Sequence, residues 1–363
     1  MSLPTSGEGA DVRRAKRPDV VERVLSALLN AALLAVALLF VLGRLDNGHV
    51  TALAAPWAMQ CWLAFVAVLA IGVAFRRWRT SAAATLLAIW SGVVVVPALV
   101  PLPATHAGLA NGAERISAPL RVMSANVNLR NEPSLYALKW VREQRVDLFA
   151  VIEMPRAWSD ALGAMSADFP YSFGRPSDTN AAGIGLFSRF PLREARFENT
   201  CAECQPFIDA IVDHPTGPIR VLAIHPLSPM SIERTEWRDA ELHRVAELCA
   251  DRDIPTIIMG DFNETPYGEA FNDLLRVTGY TAARTVKGFS PTWPSARDAI
   301  EIPSFLRIPI DHIVVSPHFR TERFDVGVQI GSDHLPVIAD LKLTTPVGGL
   351  SASRLPSAPP AAR

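Results

Sequence analysis

The sequence has few cysteines and almost no net charge. Four cysteines in 363 residues are too few for a disulfide framework. Cys201 and Cys204 form a single C-x-x-C with no second pair, which favours a local disulfide or two idle thiols over a redox motif or half a zinc site. A net charge of −1 gives no global basic field, so a protein that attracts nucleic acid with its whole surface is not indicated.

Hydrophobic residues make up 49% of the chain and are concentrated in its first hundred positions. Apolar segments at about 24–43, 52–75 and 81–100 each have roughly the length that crosses a bilayer. The sequence therefore predicts a disordered basic arm over 1–20 and three transmembrane helices within 21–101.

The basic residues predict an orientation in the membrane. They are concentrated in the arm and at 76–79, whereas the first loop holds only Arg44 and the stretch after the third segment holds only Arg115. Because cytoplasmic loops carry the excess of lysine and arginine, the N-terminus is expected in the cytoplasm. Three crossings of the inner membrane then place the rest of the chain outside the cytoplasm, where a Cys201–Cys204 bridge could persist.

Residues 102–119 are predicted to form a linker, 120–345 one α/β domain, and 346–363 a disordered tail. The domain alternates short apolar runs with amphipathic stretches. Strands are expected at 121–125, 148–152, 183–187, 207–212, 219–224, 256–259, 310–315 and 335–341, and helices at 133–144, 231–249 and 267–277.

Polar side chains stand at the ends of six of these apolar runs, which is what a cleft at the edge of a sheet requires. These residues are Asn126 and Asn128, Glu153, His225, Asp261 and Asn263, Asp311, and Asp333 with His334. Asp261 and Asn263 would share one face if the backbone were extended, although Gly, Asp and Asn are also common in turns. Carboxylate, amide and imidazole groups without a usable cysteine suit Mg²⁺ or Mn²⁺ better than structural zinc.

These segments, taken in order, resemble the endonuclease/exonuclease/phosphatase superfamily. The resemblance covers about 120–343 and rests on Ser-Ala-Asn-Val-Asn at 124–128, Val-Ile-Glu at 151–153, Gly-Ile-Gly-Leu-Phe-Ser-Arg-Phe-Pro-Leu at 183–192, Ala-Ile-His-Pro at 223–226, Gly-Asp-Phe-Asn at 260–263, Ile-Asp-His-Ile at 310–313 and Ser-Asp-His-Leu-Pro at 332–336. It implies a four-layer α/β sandwich of two mixed sheets with helices outside. It also implies that Glu153 ligates the metal, with Asn126 and Asp333.

The same resemblance implies catalytic roles. Asp261 would orient or deprotonate the attacking water, and Asn263 would hold a phosphate oxygen. His334 would hydrogen-bond the scissile phosphate or shuttle a proton, with Asp311 fixing its tautomer. His225 would protonate the leaving oxygen or stabilise the pentacovalent state.

The substrate is left open at this stage. The leading expectation is a membrane-anchored nuclease that cleaves phosphodiesters, with Asn128, Arg284 and Trp293 as possible substrate contacts. The alternatives are a lipid-directed phosphodiesterase or phosphatase and a catalytically silent binding module on a membrane anchor. No protein partner can be inferred from the sequence.

Overall fold

The computed structural model describes residues 20–45, 48–101, 115–116, 119–249, 254–297 and 300–345. The predicted basic arm and tail, and most of the predicted linker, lie outside these ranges. The described part consists of an N-terminal helical region and an α/β domain.

Apolar runs rich in leucine, alanine and valine form the helical region. Its elements are α1 (Val20–Leu42), α2 (Gly48–Ala54), a 3₁₀ turn (Ala55–Trp57), α3 (Ala58–Ala74) and α4 (Trp78–Leu99). Three stretches, Val20–Leu42, Gly48–Ala74 and Trp78–Leu99, are long and apolar enough to cross a membrane. The second stretch begins earlier than the sequence predicts and is interrupted where Pro56 occupies the 3₁₀ turn.

The α/β domain contains four helices, α5 (Leu135–Gln144), α6 (Arg156–Gly163), α7 (Ile232–Leu248) and α8 (Glu269–Thr278). Its strands are β1 (Arg115–Ile116), β2 (Leu120–Asn126), β3 (Leu148–Ile152), β4 (Tyr171–Arg175), β5 (Ile184–Ser188), β6 (Leu192–Glu198), β7 (Phe207–His214), β8 (Gly217–Ile224), β9 (Thr256–Asp261), β10 (Thr281–Ala282), β11 (Ala296–Arg297), β12 (Ile300–Glu301), β13 (Asp311–Val315), β14 (Phe319–Val326) and β15 (Val337–Thr345). Short 3₁₀ turns lie at Ala283–Val286 and Ser304–Leu306.

Apart from β11 and β12, which pair only with each other, these strands form two mixed sheets. The first has the order β1-β15-β2-β3-β5-β4, with β14 also paired to β15, and the second has the order β10-β13-β9-β8-β7-β6. Most neighbouring strands are antiparallel, but β2 is parallel to β3 and β8 is parallel to β9. The parallel pairs matter for the site because the carboxyl ends of their strands meet at one edge.

The two sheets pack face to face, and helices cover their outer faces. On β3, Leu148, Ala150 and Ile152 face the second sheet, whereas Phe149 and Val151 pack with residues of α5 and α6. Residues of α7 and α8 cover the second sheet in the same way. A strand buried on both faces needs a continuous apolar run, which explains why these strands were visible in the sequence. The expected four-layer sandwich is confirmed.

Several elements were not predicted from the sequence. Strands β4 and β6 are edge strands with mostly exposed or half-buried residues, so they carry no apolar run. Strand β14 and helix α6 were also missed. Cys201 and Cys204 form a disulfide in the segment between β6 and β7. A local disulfide was one of the alternatives that the sequence left open.

The helical region packs directly against the α/β domain. Arg44, just after α1, donates a hydrogen bond to the Tyr267 carbonyl at 3.0 Å, and the ring of His49 lies 2.8 Å from the Thr235 hydroxyl. Tyr267 is buried in the same apolar cluster as the helical residues Phe40 and Phe65. The end of the helical bundle therefore lies beside the α/β domain.

Candidate active site

The strand ends predicted to form a cleft meet at one edge of the sandwich. Asn126 is the last residue of β2, and Glu153 directly follows the parallel neighbour β3. In the second sheet Asp261 ends β9 and pairs with Asp311, the first residue of the antiparallel strand β13. His225 follows β8, which is parallel to β9. The two sheets thus bring these side chains to the same place from opposite sides.

The carboxylate of Asp261 lies at the centre of this cluster. The Asn126 amide donates from Nδ2 to Glu153 Oε1 and to Asp261 Oδ2, both at 3.0 Å. His225 Nε2 lies 3.7 Å from Asp261 Oδ2 and 3.8 Å from Glu153 Oε1. His334 Nε2 lies 3.7 Å from Asp261 Oδ2. Glu153, Asp261 and His334 therefore share one small volume.

His334 and Asp311 form a buried pair. His334 Nδ1 lies 2.9 Å from Asp311 Oδ2, which turns the other ring nitrogen toward Asp261. Burial alone would lower the pKa of His334, but the charges of Asp311 and Asp261 outweigh it and raise the pKa to about 10. At neutral pH this imidazole is protonated and can donate a hydrogen bond from Nε2.

Asp261 is almost fully buried, and its burial raises the pKa of the carboxyl group to about 6 despite the opposing charge of His334. The carboxyl group is still mainly ionised at neutral pH, so it can accept a proton. A carboxylate with a raised pKa beside a protonated imidazole is an arrangement suited to acid–base chemistry.

Local backbone geometry sets the directions of these groups. Gly260 precedes Asp261 where β8 and β9 run closest, and a Cβ atom there would lie 1.9 Å from the Ile224 carbonyl oxygen. Glu153 has a φ of 51°, a left-handed conformation that is uncommon for a residue with a side chain. Such strain is found where a side chain must point in one direction.

Of the two conformations that the sequence allowed between Asp261 and Asn263, the structure has the turn and not the extended backbone. Asn263 has a φ of 49°, and its amide N–H donates to Asp261 Oδ1 at 2.9 Å, so the segment is a turn. The turn still places Asn263 in the cavity of the site, where its Nδ2 donates to the Pro226 carbonyl at 2.9 Å. One amide hydrogen then remains available for another acceptor.

Asp333, Asn128 and Trp293 form a second group beside the cluster. Asn128 Nδ2 donates to Asp333 Oδ1 at 2.7 Å, and Trp293 Nε1 donates to Asp333 Oδ2 at 3.0 Å. Burial opposes ionisation of Asp333, but His334 and these two donors lower its pKa. Trp293 and Asp333 also line the cavity that contains Asp261.

Arg284 does not contact this site, contrary to the expectation from sequence. Its side chain is only 7% exposed, and it donates to the Ala98 and Gly288 carbonyls at 3.3 and 3.4 Å. The arginine therefore binds the end of α4 in the helical region. Arg284 lies in a loop with aromatic neighbours, and the sequence does not indicate which surface such a loop arginine contacts.

Two sets of residues could hold a cation. Ligand atoms of Asp261, Asp311 and His334 lie within 4.8 Å of one another, but His334 Nδ1 is already bonded to Asp311. The predicted ligand Glu153 offers carboxylate oxygens, which Mg²⁺ and Mn²⁺ prefer, and Asn126 Oδ1, which accepts from the Asn128 N–H at 3.0 Å, has a second lone pair for a cation. One Asn126 amide reaches both Glu153 and Asp261, so two carboxylates lie close enough to require a neutralising charge. These residues fit a hard divalent cation, and we favour the Glu153 and Asn126 side. Asp333 is held by Asn128 and Trp293 nearby.

A cavity of about 380 Å³ lies at the strand-end cluster. The strand-end residues form its floor, and Leu53, Pro56 and Trp57 of the helical region form part of its wall. The remaining lining residues are Ala52, Ala181, Gln205, Ser228, Pro229, Met230, Arg234, Trp293, Ile308 and Ile310. This wall could not be predicted from the sequence, because its residues precede the domain and resemble part of a membrane span.

Two further contacts of the site were not predicted. The Ala181 carbonyl lies 3.1 Å from His225 Nδ1 and fixes that ring. Ser332 Oγ donates to the Asn126 carbonyl at 2.7 Å and accepts from the His334 N–H at 3.0 Å, which joins two strand ends. A serine two residues before a histidine is a local signal for such a turn.

Comparison with known proteins supports this assignment of fold. A family-level comparison matches residues 123–334 to the Endonuclease/Exonuclease/phosphatase family. An endonuclease/exonuclease/phosphatase from Beutenbergia cavernae DSM 12333 is similar in structure, with a TM-score of 0.51, 20% identity, and coverage of 62% of this chain and 72% of that chain. D. rerio TDP2, in a complex with a single-strand DNA product, has a TM-score of 0.52 at 16% identity, with 62% and 99% of the chains covered. No curated protein sequence matches this chain.

Proposed function

The chain belongs to the endonuclease/exonuclease/phosphatase family, and from that premise we propose that its strand-end cluster hydrolyses phosphoesters with a divalent cation, Mg²⁺ or Mn²⁺. The observation that carries the proposal is the position of Asp261. Its Oδ2 atom lies within 3.7 Å of Asn126 Nδ2, His225 Nε2 and His334 Nε2. A base, an acid and an amide donor around one point are the groups that attack of water on phosphorus requires.

In this proposal Asp261 orients a water molecule and takes its proton as the water oxygen bonds to phosphorus. The bond from phosphorus to the leaving oxygen breaks on the opposite side. His334 donates a hydrogen bond from Nε2 to a phosphoryl oxygen, and Asp311 keeps that ring in place. The free amide hydrogen of Asn263 binds a second oxygen, and His225 gives a proton to the leaving oxygen.

Glu153 and Asn126 would hold the cation, with Asp333 nearby. When bound, the cation would neutralise charge that accumulates on the phosphoryl oxygens. Glu153 also accepts a hydrogen bond from the Leu129 N–H at 3.3 Å, so its carboxylate is oriented by the backbone of the next segment.

The test is hydrolysis of bis-p-nitrophenyl phosphate by the full chain in detergent micelles. We expect turnover with Mg²⁺ or Mn²⁺, loss of turnover with a chelator, and recovery when the metal is returned. Calorimetry should detect metal binding in the same preparation. Absence of both turnover and metal binding would favour a silent binding module instead.

The helical region is proposed to cross the inner membrane three times, with the N-terminus in the cytoplasm. Arg77, between α3 and α4, donates to the Glu22 carbonyl at 3.1 Å, so the basic loop lies beside the start of α1. Arg44 at the other end of α1 contacts the α/β domain. The basic loop at 76–79 thus lies at the end of α1 away from this domain, which supports a cytoplasmic position for that end.

Reporter fusions test this orientation. Alkaline phosphatase fused after residue 345 should be active, whereas a fluorophore that matures only in the cytoplasm should be dark at the same position. The opposite result would place the α/β domain in the cytoplasm without affecting the proposed chemistry.

The choice of phosphoester is a separate question. Cleavage of nucleic acid was the leading expectation from sequence, and the similarity to TDP2 at 16% identity concerns the fold alone. The cavity provides a more direct criterion, because its walls determine what can reach the cluster.

A further inference from the structure

The catalytic cavity is closed on one side by the helical region. Leu53, Pro56 and Trp57 line it together with Asp261 and His334. These three residues lie near the start of Gly48–Ala74, the second stretch long and apolar enough to cross a membrane. If that stretch spans a bilayer, the cavity lies where the span leaves the hydrocarbon layer.

Apolar side chains are exposed around this part of the cavity. Met230 lines the cavity and is 72% exposed, and Leu53 on the facing wall is 45% exposed. Phe305 and Leu306 are also exposed, in a turn whose carbonyl at Phe305 accepts a hydrogen bond from Gln60 of α3 at 3.2 Å. Several large apolar residues thus lie at the level of the helix ends, where a lipid surface would cover them.

The charge of the lining residues does not suit a long polyanion. Among the described residues that line the cavity, Arg234 is the only arginine or lysine. Its Nε atom is buried without a hydrogen-bond partner, and the residue makes no ion pair within the described ranges. A nucleic acid needs a track of cations along its backbone, whereas one arginine suits a single anionic headgroup.

We propose that the substrate is a membrane lipid with a phosphoester headgroup. Its phosphate reaches the strand-end cluster beside Arg234, and its apolar part lies between Leu53, Pro56 and Met230. The lipid enters sideways from the bilayer in which the helices are embedded. This inference rests on the proposed phosphoesterase activity and adds to it the class of substrate and a binding wall supplied by the helical region.

The experiment uses a series of alkyl p-nitrophenyl phosphates with ethyl, octyl and hexadecyl chains. All three release p-nitrophenol by the same bond cleavage, so only the length of the apolar part changes. The full chain is assayed with Mg²⁺ in mixed micelles of one nonionic detergent. We expect kcat/KM to increase at least about tenfold from ethyl to hexadecyl, because each buried methylene group adds affinity.

Polar substitutions in the wall separate binding in the cavity from simple partition of the long esters into micelles. Leu53→Asn and Met230→Gln should each reduce the ratio of hexadecyl to ethyl kcat/KM by about fivefold or more. The ratio is measured within one preparation, so the fraction of active enzyme cancels. Leu135→Asn is the matched control, because Leu135 is 87% exposed and does not line the cavity, and its ratio should equal that of the wild type.

The outcomes distinguish this inference from the proposed function. If the ethyl ester is hydrolysed but the ratio of hexadecyl to ethyl kcat/KM is unchanged in both wall variants, the proposed phosphoesterase activity is retained and the lipid substrate is overturned. Faster cleavage of plasmid DNA than of the hexadecyl ester would overturn it in favour of a nuclease. If no ester and no DNA is hydrolysed with either metal, the proposed function fails and this inference fails with it.

Discussion

The helical region and the α/β domain contain similar apolar residues but place them in opposite ways. Leu34 and Leu86 in the helical region are 71% and 70% exposed, whereas Leu148 and Leu186 in the α/β domain are completely buried. In the domain it is polar groups such as Asp261 and Asp311 that are buried, at the strand ends. Three helices cannot enclose their own apolar surface, which is why we propose that a bilayer surrounds them.

The difference shows where each region obtains its stability. The domain depends on close packing between its layers, and any misfit there is costly. In the proposed bilayer, lipid would cover most of the apolar surface of the helices, so changes on their outer faces should cost little. The cavity lies at the boundary between the helical region and the α/β domain.

The largest effect is expected at Gly260, where the domain has no spare room. Gly260→Ala places a methyl group 1.9 Å from the Ile224 carbonyl oxygen, between two buried strands that cannot separate. Destabilisation by more than about 4 kcal/mol is expected, with little folded protein recovered. Gly163→Ala in α6 is the control, because its added Cβ meets no atom within 4 Å outside its chain neighbours and its own helix backbone. Tryptophan fluorescence during heating of micellar samples measures both, and equal unfolding temperatures would contradict the argument.

The next largest effect concerns activity rather than folding. Asp261→Asn keeps the size of the side chain but removes the base, and kcat toward bis-p-nitrophenyl phosphate should fall about a thousandfold. Asp340→Asn removes a carboxylate from a peripheral ion pair with Arg121, 3.3 Å apart, and should leave kcat within about twofold. Wild-type turnover in the Asp261 variant would disprove its assigned role.

A pair of leucine truncations tests the comparison itself. Leu148→Ala opens a cavity between the sheets and should cost about 3 kcal/mol. Leu86→Ala shortens an exposed side chain of α4 and should change stability by less than about 0.5 kcal/mol, because lipid contacts it in folded and unfolded states alike. Apparent unfolding temperatures in the same micelles provide the measurement. Equal losses in both variants would mean that Leu86 is packed against protein.

The smallest effect depends on pH. Glu241 on α7 has both carboxylate oxygens buried without a partner, and burial raises its pKa to about 8 from 4.5. Below pH 4.5 the group is protonated in both states. As the pH rises toward 8 the unfolded state ionises first, so stability falls across this window and then levels off.

Glu241→Gln should remove this slope, so the variant should be more stable than the wild type at pH 8 but not at pH 4.5. Glu236→Gln, at an exposed position of the same helix, is the control and should leave the pH profile of the unfolding temperature unchanged. A Glu241 variant whose unfolding temperature follows the wild-type profile would show that the carboxyl group finds a partner.

Much of the fold followed from local patterns. The run at 148–152 coincides with β3, and the expected helix over 231–249 differs from α7 by one residue at each end. Ser231 caps that helix by accepting a hydrogen bond from the Arg234 N–H at 3.2 Å, a signal written in adjacent residues. Edge strands such as β4 were missed because neither of their faces is buried.

The residues of the candidate site could be predicted from the sequence, but most of the contacts between them could not. Polar residues at the ends of apolar runs identified Glu153, Asp261 and His334, and their proximity follows from the strand order. The sequence allowed a turn at Asn263 without deciding for it, and it did not indicate the burial of Arg284 against α4, because both depend on the neighbours that the folded chain supplies.

By itself the sequence determined the periodicity of the elements, the three apolar helices and the residue types available at the strand ends, since each is expressed over a few consecutive positions. Only the tertiary structure decided which of these groups touch. Asn126 and Asp261 are 135 positions apart, and Asn128 and Asp333 are 205 apart. The apolar wall at Leu53 was also decided there, because it exists only where the end of a membrane-length helix packs against a domain encoded much later in the chain.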